Sequence, residues 1–292
     1  MKKKSIADLG KFALIEEITK HVKVGNPSTL KGIGDDAAVL SFKENTVVSS
    51  NMLLEGIHFD LMYTPLKHLG YKSVVATISN ILAMNAIPTQ IVFSTGIDKR
   101  FNLEMLQDFI SGVQLACEKY HVDLVGIDTT SSITGLAIST SALGEVKAED
   151  ICYRKGAQQN DLLCVSGDLG AAYLGLQLLE REKALFEKQN VQPDLSGNDY
   201  ILERQLKPEA RKDIIELLQK HKLQASAMTS VSDGLTSDTL QICKASKVGC
   251  VIYEDKLPID FTTYNMAEEL SLNATTCALH GGEDYELVFT LP

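Results

Sequence analysis

Basic charge is scarce in this chain of 292 residues: 28 Lys and Arg stand against 38 Asp and Glu, a formal net charge of −10. A general basic surface for nucleic acid is therefore not expected. No run of about eighteen apolar residues occurs, so no transmembrane helix is expected. The basic start Met1-Lys2-Lys3-Lys4 leads into mixed polarity, with Asp8, Lys11, Glu16 and Glu17, and not into the apolar core of a secretory signal. The six cysteines, at positions 117, 152, 164, 243, 250 and 277, form no C-x-x-C pair, and none lies beside a His at zinc-ligand spacing. They read as buried free thiols in a reducing cytosol, so the protein is expected to be cytoplasmic. Internal repeats and low-complexity tracts are also lacking. No G-x-x-x-x-G-K-[ST] segment occurs, so nucleotide chemistry would proceed without a P-loop. The G-x-G of Gly32-Ile33-Gly34 has no third glycine and runs into Asp35 and Asp36. Two carboxylates there would repel a pyrophosphate unless a metal intervened, which argues against a dinucleotide fold.

What is present is an ordinary globular composition, 45% hydrophobic and 23% charged, at a length suited to two domains. Apolar residues recur at helical period over 5–22, and helices are expected over 66–86 and 103–120. Strands are expected over 46–50, 90–96, 122–125 and 134–143. The alternation points to an α/β (α+β) fold. A polar stretch, Lys147-Ala148-Glu149-Asp150 and then Arg154-Lys155-Gly156-Ala157, suggests a division into domains 1–148 and 149–292. The second half reads as a strand over 162–165, a helix over 170–180 and a polar insertion over 181–198. A helix over 209–221, a turn at Ser232-Asp233-Gly234 leading into a helix to about 246, and a strand over 249–253 follow. The chain stops in or just after an apparent last strand, so further C-terminal residues are expected.

Acidic turns carry the main chemical signal. Asp35-Asp36, Gly126-Ile127-Asp128-Thr129-Thr130, Ser232-Asp233-Gly234 and Gly281-Gly282-Glu283-Asp284-Tyr285 each border an apolar segment. Singly, each is explained by backbone capping and by glycine conformational freedom. Together they are also how a protein gathers hard oxygen ligands for Mg²⁺ around phosphates. His58, in Glu55-Gly56-Ile57-His58-Phe59, lies where a strand would alternate polar and apolar residues, so it either contacts a ligand or is structural. Arg154 is either a phosphate ligand or a solvated charge.

These segments resemble the thiamine-monophosphate kinases, of the wider superfamily that includes aminoimidazole-ribonucleotide synthetase. The resemblance runs through Gly10-Lys11-Phe12-Ala13-Leu14-Ile15, Gly32–Val39, Met52–Phe59, Ala83-Met84-Asn85-Ala86, Asp123–Thr130, Ser232–Leu235 and Gly281–Leu287. Glu-Gly-Ile-His-Phe together with Gly-Gly-Glu-Asp-Tyr-Glu-Leu separates these kinases from other superfamily members. The resemblance implies an N-terminal domain that binds nucleotide and metal and pairs in a homodimer through its sheet, a C-terminal α/β domain, and an active site between them. It implies ATP-dependent phosphorylation of thiamine monophosphate with several Mg²⁺ ions. Carried over by motif, Asp36, Ser50, Asp128 and Asp233 match metal or oxygen-donor positions, with Asp35 adjacent. Ser232 and Arg154 match positions near ATP, and His58 and Glu283 match contacts to the thiamine substrate. No residue is implied as a general base.

Four motif positions depart from the family pattern. Asn51 and Asn80 stand where Asp is usual, Ser230 replaces the first Asp of Asp-x-Ser-Asp-Gly, and Ile127 replaces the second Gly of Gly-Gly-Asp. A unit charge near a divalent ion contributes on the order of several kcal/mol even at an effective dielectric near 20. Losing three carboxylates predicts weak metal loading. Ile127 adds a β-branched side chain where backbone would approach the nucleotide. Two readings follow: a kinase with an altered metal shell, or a catalytically silent relative that binds nucleotide or thiamine phosphate without turnover.

Overall fold

The computed structural model describes residues 11–34 and 37–292. The chain divides into two compact units, one comprising Met1–Ile81 with Ala86–Glu149, the other Leu82–Asn85 with Asp150–Pro292. Among the described residues no helix is long and apolar enough to cross a membrane.

The first unit begins with helix α1 (Lys11–Thr19) and the short strands β1 (Thr29–Lys31) and β2 (Val39–Leu40). Next come strand β3 (Asn45–Leu54), helix α2 (Leu66–Leu82), strand β4 (Ile87–Ile97), helix α3 (Leu103–Tyr120), and strands β5 (Asp123–Ser131) and β6 (Ala137–Val146). Four of the strands form one sheet in the order β3-β6-β4-β5. The β4–β5 pair is parallel and the other two are antiparallel. Alternating burial along β6 shows why the sheet lies as it does: Ile138, Thr140, Ala142, Gly144 and Val146 are buried, and the residues between them are partly exposed. The buried face carries helices. Thr77 of α2 bonds Thr140, and Phe93 meets Phe109 of α3 edge-on at 6.2 Å. Helices α2 and α3 cross with backbones nearly touching, since a Cβ on Gly112 would fall 1.8 Å from the Lys67 carbonyl oxygen. The Asn102 side chain caps α3 through Met105 N–H at 3.0 Å.

The second unit holds strand β7 (Leu162–Val165), helices α4 (Ala171–Gln189), α5 (Asp199–Leu206) and α6 (Lys212–Lys220), and strand β8 (Ala227–Val231). Helices α7 (Leu235–Ser246), α8 (Phe261–Glu269) and α9 (Ala274–His280) and strand β9 (Glu286–Leu291) complete it. Its sheet is antiparallel, ordered β7-β9-β8. The last strand is therefore central, and its run Glu286-Leu287-Val288-Phe289-Thr290 is wholly buried. Leu169, Val231, Leu235, Ile242 and Val288 form one apolar cluster. Leu174, Leu178, Ile201, Met266 and Cys277 form another.

Several expected elements are corrected. The 181–198 insertion is helical as far as Gln189, because α4 continues there and buries Glu182. No strand forms over 249–253, and β8, α5, α8 and α9 had not been anticipated. The region before Lys11 lies outside the described residues.

Candidate functional site

In the first unit, β-sheet alternation sorts the candidate residues before any chemistry is considered. Asn51, Thr140, Phe93 and Ile127 lie in register across β3, β6, β4 and β5, on the helix-covered face. One residue further along, Met52, Ser139, Ser94 and Asp128 form the neighbouring row on the opposite face. Three strand spacings separate β3 from β5, roughly 14 Å at about 4.8 Å each. Ser50 and Asn51, adjacent in sequence, thus point to opposite sides. Ser50 Oγ donates to the Thr140 carbonyl at 3.1 Å and accepts from Ser141 Oγ at 3.2 Å. Asn51 Oδ1 accepts from Met52 N–H at 2.8 Å, folded onto its own strand. Asn80 of α2 donates to Ser49 Oγ at 3.2 Å, so Asn80 joins the Asn51 face.

Asp128 was read as a residue in a turn after a strand. It lies within β5, paired with Ser94, and its Oδ1 accepts from Thr129 N–H at 2.9 Å. The apolar run simply ends before the strand does. Ile127 lines a small apolar cavity with Ile18, Phe101, Phe109 and Leu136. Its side chain therefore packs into the core. Asp35 and Asp36 lie outside the described residues.

His58 was expected on a strand. β3 ends at Leu54, and the chain turns over Glu55–Phe59, where Gly56 N–H donates to the Phe59 carbonyl at 2.8 Å. His58 is exposed and is clipped twice to one residue. Its N–H donates to the Leu54 carbonyl at 2.9 Å, and its ring Nδ1 accepts from Leu54 N–H at 3.0 Å. With Nδ1 accepting, the neutral ring carries its proton on Nε2, leaving one outward donor. Glu55 braces this turn by accepting from Leu136 N–H at 2.7 Å and from Arg100 Nη2 at 2.8 Å.

In the second unit the structure does bring candidates together. Ser232 and Asp233 follow β8, and both backbone N–H groups donate to Asp238 Oδ2 of α7, at 2.9 and 3.0 Å. Burial pushes the Asp238 carboxyl up, while these donors pull it down. Gly234 starts α7 at φ +103, and a Cβ there would meet the His280 backbone at 3.0–3.1 Å. The motif loop closes against this turn: Glu283 N–H donates to the Ser232 carbonyl and Tyr285 N–H to Val231, both at 2.9 Å. Glu283 Oε2 accepts from Gln205 Nε2 at 3.2 Å. Burial, then the charges of Glu283 and Asp233, hold the Tyr285 hydroxyl well above its usual range. Arg154 is exposed, and its Nε donates to Thr229 Oγ1 at 3.1 Å. Ser230 is buried and its hydroxyl has no partner; alternation along β8 turns it away from Thr229 and Arg154.

Sequence reasoning missed the charged network beneath this loop. Asp284 accepts from Gly170 N–H at 2.9 Å and Ala172 N–H at 3.3 Å, at the start of α4. Glu286 pairs with Arg204 at 3.0 Å and Arg211 at 2.6 Å and accepts from Ser166 Oγ at 2.5 Å. Burial raises the Asp284 carboxyl to about 7, against the pull of its backbone donors and Arg204. The available signal was a pair of acids, Asp284 just before an otherwise apolar strand and Glu286 at its first position, where burial demands partners.

Mg²⁺ implied by the resemblance can be tested against these donors. Among the described residues no group of three or more His, Cys, Asp or Glu is placed to hold a metal ion. The Asn51 amide oxygen is engaged by backbone, and Asp128 lies on the other sheet face. Ser230 contributes one unpartnered hydroxyl. The described donors do not make a divalent-cation site.

The family described as AIR synthase related protein, N-terminal domain, matches residues 34–146. The thiamine-monophosphate kinase of Bacillus subtilis (strain 168) is 33% identical over 285 residues, 97% of this chain and 84% of the relative. That of Aquifex aeolicus (strain VF5) is 32% identical over 289 residues, 98% of this chain and 87% of the relative. Among solved structures, the thiamine-monophosphate kinase of Stenotrophomonas maltophilia K279a superimposes with a TM-score of 0.81 at 31% identity, over 97% of this chain and 86% of that one. AaThiL complexed with AMPPCP and TMP gives a TM-score of 0.76 at 31% identity, over 100% of this chain and 88% of that one. Hydrogenase maturation protein HypE, at 18% identity and a TM-score of 0.73 over 94% of this chain and 79% of that one, shares the fold alone. Sequence identity of this extent, sustained through both units and accompanied by the same fold, makes this chain a member of the thiamine-monophosphate kinase family.

Proposed function

We propose that the chain transfers the γ-phosphoryl group of ATP to the phosphate of thiamine monophosphate, giving ADP and thiamine diphosphate. The observation that carries this reading is the near-full-length likeness to thiamine-monophosphate kinases, one of them solved with AMPPCP and TMP. The acceptor oxygen is already ionised at neutral pH, so no general base is required. What the reaction demands is alignment of two anions and relief of their repulsion.

Each residue's part follows from what it can offer. Arg154 and the Ser232 hydroxyl donate to ATP phosphates. His58 Nε2–H and the Glu283 carboxylate hold the thiamine substrate, with Gln205 and Tyr285 orienting Glu283. Mg²⁺ is the charge-neutralising group this reaction class uses, but the described donors do not fit it.

A second reading, a silent relative that binds without turnover, is favoured by the neutral and internally satisfied Asn51 and Asn80. Steady-state thiamine diphosphate formation across a Mg²⁺ titration separates the two, run beside the variant Asn51→Asp, Asn80→Asp, Ser230→Asp. Turnover by the parent supports the kinase. An inert parent beside an active triple variant establishes silencing.

The proposal includes a cytoplasmic homodimer. The sheet face opposite α2 and α3 exposes Val48 by 65% and Met52 by 53%, apolar side chains on a row of otherwise small polar residues. A second copy placed on that face would cover them.

A further inference from the structure

Asp284 and Glu286 flank Tyr285 where the motif loop enters β9, and both are wholly buried, so their charges depend on protein partners. Helix α5 supplies most of these. It lies on α4 with backbones nearly touching, since a Cβ on Gly175 would fall 2.5 Å from the Ile201 carbonyl oxygen. From this seat one turn of α5 reaches all three acids of the motif. Gln205 Nε2 donates to Glu283 Oε2 at 3.2 Å, while its neighbour Arg204 donates through Nη1 to Glu286 Oε1 at 3.0 Å and brings Nη2 to 3.7 Å from Asp284 Oδ1. The same Nη2 donates to the Asp168 carbonyl at 2.9 Å, and Tyr200, one turn earlier, donates to the Asp168 carboxylate at 2.6 Å. Asp284 in turn accepts from Gly170 and Ala172 N–H at the start of α4. The motif loop, α4 and α5 thus close a circuit around the Arg204 guanidinium.

The loop needs such a hold. Glu283 and Tyr285 both have left-handed backbone, at φ 66 and 53, a conformation that non-glycine residues keep only where the surroundings impose it. Stability alone does not account for Arg204: its Nε–H is buried without an acceptor, which is costly, and a buried ion pair adds little over apolar packing. We propose that Arg204 is a positioning residue for the thiamine side of the site. By clamping Asp284 and Glu286 to α5 it fixes the backbone on the C-terminal side of Glu283, and so sets where the Glu283 carboxylate reaches before Gln205 orients it. This rests on the reading of Glu283 as a contact to thiamine monophosphate. Arg211 provides the control, because it also pairs with Glu286, at 2.6 Å, but stands just before α6 and shares its charge with Asp213 at 2.8 Å.

The test is isothermal titration calorimetry of the full chain with thiamine monophosphate and, separately, with the ATP analogue AMPPCP. Arg204→Lys keeps the charge and loses the planar fork. It should raise Kd for thiamine monophosphate about tenfold, with Kd for AMPPCP and the number of sites per chain unchanged. A purely structural loss would lower the number of sites or weaken both ligands together. A double-mutant cycle with Glu283→Gln asks whether Arg204 acts through Glu283: in that background Arg204→Lys should add less than about twofold. Arg211→Lys should leave Kd for thiamine monophosphate unchanged. The proposal is overturned if Arg204→Lys leaves that Kd unchanged, if the losses from Arg204→Lys and Glu283→Gln multiply in full, or if AMPPCP binding or Arg211→Lys shows the same loss. Should Arg204→Lys not fold, Asp284→Asn removes the charge facing Arg204, keeps an acceptor oxygen for α4, and is read by the same cycle. A parent chain that binds no thiamine monophosphate would overturn the thiamine reading of the site itself, and this role with it.

Discussion

His58 Nδ1 accepts a hydrogen bond from the backbone N–H of Leu54 at 3.0 Å, the last residue of β3. The ring is thereby locked to the end of a rigid strand with Nε2–H as its one outward donor. Replacing His58→Ala removes that donor and loosens the turn. We expect KM for thiamine monophosphate to rise about tenfold, equivalent to one hydrogen bond of about 1.4 kcal/mol, with KM for ATP unchanged. Equal effects on both substrates would count against a thiamine-side role.

Asp238 holds the Ser232-Asp233 turn by two backbone hydrogen bonds to one carboxylate oxygen. Asp238→Ala should destabilise the chain by about 1–3 kcal/mol, because two N–H groups lose their acceptor. Asp238→Asn keeps an acceptor oxygen and should be milder. Urea denaturation measures both. Gly234→Ala should also destabilise, by about 1–3 kcal/mol, since its φ of +103 and the His280 backbone both oppose a side chain.

Asp284 makes stability depend on pH. Its carboxyl is raised to about 7 by burial, whereas in the unfolded chain it ionises near 3.9. The folded state therefore binds a proton that the unfolded state has released over about pH 4 to 7. The contribution is complete below about 4 and is lost as pH rises through 7, at no more than about 1.4 kcal/mol per pH unit. Denaturation curves at pH 5, 6, 7 and 8 should show stability falling, with a shallower fall in Asp284→Asn. Parallel slopes for the two chains would show that Asp284 is ionised throughout.

Val48 and Met52 stand on the exposed face of the first sheet. If that face joins two copies, the double variant Val48→Lys, Met52→Lys should halve the mass seen by light scattering, because two buried lysines per copy would lose hydration without partners. An unchanged dimer mass would place the interface elsewhere.

Much of the fold was legible because its signals are local. The helix over 103–120 and the strand over 162–165 agree with α3 and β7 at both ends: α3 has an Asn cap and a clean apolar stripe, and β7 is a short apolar run bounded by turn residues. β8 was not anticipated, since Ala227-Met228-Thr229-Ser230-Val231 carries two hydroxyls and no strong strand former until its end. It is a strand because β9 pairs with it and buries every residue. The 249–253 segment, with Val251, Ile252 and Tyr253, had the composition of a strand but has no partner strand in the described sheet.

The same division holds at the site. The sequence alone determined the family, through motifs in which residue type and spacing survive together. Only the tertiary structure decided that Ser50 and Asn51 face opposite ways, that Ile127 packs into the core and that Glu283 closes on Ser232. It also decided that Cys250 is exposed and Cys164 half-buried, which corrects the expectation of uniformly buried thiols. Each of these depends on strand register, a chain reversal or the packing of distant segments, which bring together residues that no local pattern links.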